Sequence, residues 1–177
     1  ASGRLFAADD ATGNNRYTLW WSNLLDGKVW NDGDAGNLDV RKVWPGGQDS
    51  IIALAIYQDR VIIFGTNNIL LYTLPSDRNP ANMTLTDTIT GLGCIARDSV
   101  IMVGGDLYFL ALDGYYRLPR LAQVTSLLSA EKVSINVADD FVASLSGETL
   151  TKVRAGYNPN EGFLVLALPA GNKTWCF

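Results

Sequence analysis

Between Gly91 and Leu118 the chain reads GLGCIARDSVIMVGGDLYFLALDGYYRL, with apolar runs at 100–103, 107–112 and 115–118. Gly104-Gly105-Asp106 separates the first two runs and Asp113-Gly114 the last two. Glycine tolerates positive φ, and Asp-Gly favours the tight turn that joins antiparallel strands. Each run is too short for a helix and rich in β-branched or aromatic residues. The spacing therefore predicts a three-stranded antiparallel meander. It is apolar on both faces, so both faces must be covered.

The same plan stands upstream. Runs at 51–56, 60–65 and 69–74 are punctuated by Tyr57-Gln58-Asp59 and Thr66-Asn67-Asn68. Asp49-Ser50 aligns with Asp98-Ser99, and Asp59 with Asp106, at an offset of roughly 45–50 residues, the period of a β-propeller blade. Stacking blades around an axis covers both faces of each meander. The expected fold is all-β: a β-propeller of about four antiparallel blades, or part of a larger one, spanning residues 1–177. Residues 49–74 and 98–118 are expected to form adjacent blades.

The remaining elements follow from local chemistry. Residues 4–8 and the aromatic run Tyr17 to Ser22 read as strands, with Gly13-Asn14-Asn15 as turn residues between them. Residues 24–30 look irregular, 31–37 a polar loop and 38–40 a short strand. Thr84 to Ile89 alternates polar and apolar residues as an edge strand does. One inserted α-helix is expected near 129–145. There Val133, Val137, Phe141 and Leu145 recur every fourth residue, Ser129 offers an N-cap, and Gly147 offers a stop. Lys132, Asp139 and Asp140 should face outward. Residues 152–157, 162–168 and 173–177 read as further strands.

At 177 residues and 47% apolar composition the chain can bury a sizeable core. No apolar run approaches the ~18–20 residues needed to span a bilayer. The first residues are Ala1-Ser2-Gly3-Arg4, and Thr174-Trp175-Cys176-Phe177 reads as mid-strand. Both ends are expected to belong to a longer polypeptide. A formal net charge of −4 argues against a basic nucleic-acid-binding patch. Cys94 and Cys176 are too few for a disulfide framework and read as two buried thiols.

The absence of histidine removes Ser-His-Asp and Cys-His nucleophile systems and His-ligated zinc. Gly91-Leu92-Gly93-Cys94-Ile95-Ala96 matches the letters of a dinucleotide fingerprint, but a strand rather than a helix is expected after it. Asp32 and Asp34 have the i, i+2 spacing of a calcium loop, yet Gly36 occupies the next ligand position and no acidic residue stands at the bidentate one. An Asx-rich turn is the simpler reading. Asp9, Asp10, Asp139 and Asp140 are the carboxylates considered for glycoside hydrolysis, which needs two of them facing each other across a sugar. Trp20, Trp21, Trp30, Trp44 and Trp175 are expected to fill the core rather than stack a ligand. No catalytic, cofactor-binding or metal-ligating residue is assigned, and no enzymatic activity or cofactor is expected.

The order of certain segments carries more information than any catalytic motif. Gly3-Arg4-Leu5-Phe6 is followed by Leu19-Trp20-Trp21-Ser22, Trp30, Asp34-Ala35-Gly36 and Arg60-Val61-Ile62-Ile63-Phe64. Gly93-Cys94-Ile95-Ala96-Arg97-Asp98-Ser99, Gly105 to Leu110 and Asp113-Gly114 continue it. In this order the chain resembles the tail nozzle proteins of short-tailed phages, the tail tubular protein B type. The resemblance implies a propeller-based structural subunit of the virion, made in the host cytoplasm. It implies a hexameric ring in the tail tube, contacting the tail adaptor and the tail fibre or spike proteins. Genomic DNA would pass through the lumen during ejection without specific binding. Members of that family are considerably longer than this chain. Two other readings, a propeller glycoside hydrolase and a monomeric propeller serving as a protein-binding platform, would require facing carboxylates at an axis and a closed monomer, respectively.

Overall fold

The computed structural model of the chain describes residues 3–8, 15–57, 59–119 and 130–177. Asp9, Asp10, Gly13, Asn14, Gln58 and Ser129, to which the sequence assigns roles, lie outside the described residues. The chain divides into two compact units, residues 1–93 and 94–177.

The first unit holds two antiparallel meander sheets. β1 (Phe6–Ala8), β2 (Thr18–Trp21) and β3 (Gly36–Asp39) form one, in the order β1-β2-β3. β4 (Ala53–Tyr57), β5 (Arg60–Phe64), β6 (Asn68–Thr73) and β7 (Thr84–Thr90) form the other, in the order β4-β5-β6-β7. Leu19 and Leu38 of the first sheet pack with Val61, Ile63, Leu70 and Tyr72 of the second, around Val40, Trp44 and Ile51. The residues that alternate with these, Ile62, Phe64, Ile69 and Leu71, are also fully buried. β5 and β6 are thus covered on both faces, as their unbroken apolar sequences require. β7 lies at the sheet edge as expected, with a register shift opposite Leu71 and Tyr72. Such a bulge twists an edge away from edge-to-edge pairing.

The second unit repeats the plan. β8 (Ile101–Val103), β9 (Asp106–Ala111), β10 (Gly114–Leu118) and β11 (Glu131–Lys132) form a four-stranded meander, and β12 (Arg154–Asn158), β13 (Phe163–Leu168) and β14 (Lys173–Cys176) a three-stranded one. All pairings in the four sheets are antiparallel. The all-β expectation holds, and the Gly91–Leu118 stretch is a meander with its turns at the expected glycines.

The internal repeat aligns differently from the sequence reading. The Tyr57–Arg60 hairpin turn corresponds to Val103–Asp106, 46 positions later. Asp59 therefore matches Gly105 rather than Asp106. Asp49 and Asp98, paired by sequence, have unrelated surroundings.

The helix is the main correction. α1 spans only Ala138–Leu145, eight residues. Glu131–Lys132 is an edge strand, registered with Arg117 and Tyr116 of β10. The strand-like path continues as the Val133 amide donates to the Tyr115 carbonyl (2.8 Å) and the Ser134 hydroxyl accepts from the Tyr115 amide (3.1 Å). A 3₁₀ turn at Ile135–Val137 then leads into α1. The every-fourth-residue pattern across Val133 was therefore a coincidence of a strand followed by a helix: backbone groups along β10 needed partners, and residues 131–134 supply them. Val137, expected inside, is exposed, as is Val142. Phe141 is fully buried, edge-on to Trp175 (5.4 Å) and Phe177 (5.8 Å), and Leu145 packs with the same cluster. Asp139 and Asp140 are exposed as expected, in the first helical turn where negative charge suits the helix dipole. Gly147, at φ +81°, ends the segment. Among the described residues no helix is long and apolar enough to cross a membrane.

Candidate functional site

A cleft in the first unit is built from the polar loop before β3. Arg4 precedes β1 and is buried. Its guanidinium donates to the carbonyl oxygens of Ser22 (3.0 Å) and Asp34 (2.9 Å), with the Asp34 carboxylate 3.6 Å away. The Trp21 indole N–H donates to the same Asp34 carbonyl (3.2 Å). One carbonyl therefore anchors the loop to two buried side chains. Gly36 lies so close over Trp21 that a Cβ there would sit 2.7 Å from the indole ring. Asn23 Oδ1 accepts from the amides of Leu24 (2.8 Å) and Asp34 (3.2 Å), tying the loop to the turn that follows β2.

Facing this loop is the segment 79–83, whose 3₁₀ turn Pro80–Asn82 is capped by Asn79 Oδ1 accepting from the Ala81 amide (3.1 Å). Asp77 supports it by accepting from the Asn79 amide and the Asn82 side chain, and these two bonds hold its carboxyl below the usual range. Between the two segments is a cleft of about 400 Å³ lined by Trp21, residues 33–38 and residues 79–81 with Met83. Its walls combine apolar Ala35, Leu38, Pro80, Ala81 and Met83 with polar Asp34, Asn37 and Asn79.

Near the cleft, residues 23–26 form a tight turn closed by a bridge between Asn23 and Asp26. Leu24 and Leu25 at its tip are 47% and 84% exposed, and neighbouring Leu5 is 56% exposed. Leu25 adopts φ +56°. Nothing in the composition signals this, because a γ-branched apolar residue is among the least expected in that region.

The sequence-predicted sites resolve as follows. Asp32 Oδ1 accepts from the Gly33 amide (2.7 Å), and the Ala35 amide donates to the Asp32 carbonyl (3.2 Å), closing a backbone turn in which Gly33 takes φ +65°. Asp34 contributes its carbonyl to Arg4 and Trp21 rather than a carboxylate to a shared ligand set. Among the described residues no three acidic, cysteine or histidine side chains gather as metal ligands do. The Gly91–Ala96 stretch leads into a single 3₁₀ turn, Arg97–Ser99, and then β8, so no helix presents its N-terminus to a pyrophosphate. Gly93 is needed for another reason: a Cβ would collide with the carbonyl oxygens of Gly65 and Thr66. Asp139 and Asp140 are consecutive on one exposed helical turn rather than opposed across a gap. Trp21 and Trp44 are buried and Trp20, Trp30 and Trp175 partly so. The Trp175 indole donates to the Ser144 hydroxyl (2.9 Å) inside the second unit's core.

Cys94 is buried, and desolvation pushes its thiol up to about 11. Cys176, expected to be buried, is exposed on edge strand β14. In β14 Trp175 turns inward, and the side-chain alternation of a strand sends Cys176 outward.

Sequence reasoning missed the buried polar supports. Asp49 is buried and accepts from the amides of Ser50 (2.8 Å), Thr66 (2.7 Å) and Asn67 (2.9 Å) and from the Asn68 side chain (2.9 Å). In the second unit, Ser99 donates to the Ala96 carbonyl (2.6 Å), accepts from the Leu110 amide (3.0 Å) and receives the Tyr115 hydroxyl on its own carbonyl (3.2 Å). The repeated Asp-Ser pair was the available signal, but it marks a different residue in each unit. No protein-family model and no curated protein sequence matches this chain.

Proposed function

We propose that the chain is a structural subunit of a short-tailed phage tail, its four meander sheets serving as blades of a β-propeller in a six-membered nozzle ring. The observation that carries this reading is the succession of four antiparallel meanders in chain order, two of them four-stranded. Up-and-down sheets of this kind are the units that propellers stack. The ordered segments from Gly3 to Gly114 that resemble the tail nozzle proteins give the reading its biological setting. Tail adaptor and fibre or spike proteins are the neighbours it would meet.

The proposed role in DNA passage rests on charge. Duplex DNA carries one negative charge per ~1.7 Å of axis, and a basic wall would hold it by counterion release. A subunit with a net charge of −4 repels the phosphates and lets the duplex slide. Negative-stain imaging of the assembled protein tests the reading. A ring with an axial channel is expected; a dispersed monomer at every concentration, or localisation of the subunit away from the tail axis, would sink it.

A further inference from the structure

We draw no further inference here: the strongest candidate, the cleft between residues 33–38 and 79–83 of the first unit together with the exposed leucine turn at residues 23–26, carries nothing because nothing in the structure shows what fills the cleft or covers the turn.

Discussion

Asp49 is the residue whose removal most directly tests how the first meander is held. Its carboxylate receives three backbone amides and the Asn68 side chain, and Gly65 crosses so close that a Cβ there would lie 2.5 Å from Oδ2. Hydrogen bonds to a charged acceptor are worth about 1.5–3 kcal/mol each when their loss leaves a buried partner. The four are not equivalent. Thr66 and Asn67 are exposed, so water replaces the acceptor at little cost, whereas Asn68 is buried and Ser50 partly so. The expected loss for Asp49→Ala is therefore about 2–4 kcal/mol, well below the sum of four bonds. Asp49→Asn keeps one acceptor oxygen but turns an amide donor toward other donors, and should lose about 1–3 kcal/mol. Asp98→Ala is the control. Asp98 pairs with Arg97 (2.8 Å) and Arg154 (2.9 Å) at the surface of the second unit, and exposed pairs contribute at most about 1 kcal/mol. Urea denaturation followed by tryptophan fluorescence separates the outcomes, because the first unit carries Trp20, Trp21, Trp30 and Trp44. An unfolding free energy for Asp49→Ala within about 0.5 kcal/mol of the wild type, or a larger loss for Asp98→Ala, would refute this account.

Other outcomes follow from the same geometry. Phe141→Ala should cost about 3–5 kcal/mol, because the ring is fully buried against Trp175 and Phe177, while Val137→Ser should stay within about 0.5 kcal/mol; thermal denaturation compares them. Cys176 should react with a thiol reagent in the folded protein and Cys94 only after unfolding, read by mass spectrometry of the labelled peptides. Stability should fall as pH rises from about 9 towards 11. Above the ordinary thiol value the unfolded chain releases the Cys94 proton while the fold retains it, so the unfolded state binds fewer protons and gains on the native one; Cys94→Ser should lessen this trend in urea midpoints measured against pH, leaving the part that sets in towards the tyrosine range, where burial likewise raises Tyr72, Tyr115 and Tyr116.

The strands were legible because their signals are local. Gly104-Gly105, Asp113-Gly114 and the runs between them fix turns and strand lengths within a few residues of chain, and burial on both faces follows from the lack of polar alternation in β5 and β6. Even the exposure of Cys176 follows from alternation once Trp175 is placed inward. The supports were illegible because they act across the sequence. Asp49 reaches residues 17 to 19 positions away, and nothing in Asp49-Ser50 distinguishes it from Asp98-Ser99. The helix start was misread because the spacing of Val133 suited a helix, while the open edge of β10 required a strand there. The cleft depends on the Asp34 carbonyl, a group every residue carries, so only the fold reveals that Arg4 and Trp21 converge on it.

Across both units, many polar side chains are engaged in fixing turns. Asp49 holds residues 66–68, Glu148 accepts from the amides of Ala170 (3.1 Å) and Gly171 (2.6 Å), Ser134 meets the Tyr115 amide, and Asn23 joins its own turn to the loop at Asp34. Each such bond removes conformational freedom from a connection that would otherwise be the most mobile part of a meander. Rigid connections matter most when a surface must meet the same partner surface in every subunit, because each loose loop adds an ordering cost at every contact in the assembly. The Leu24–Leu25 turn is the sharpest case. Its backbone is fixed by hydrogen bonds at both ends, and the freedom thus removed leaves an apolar tip in one orientation.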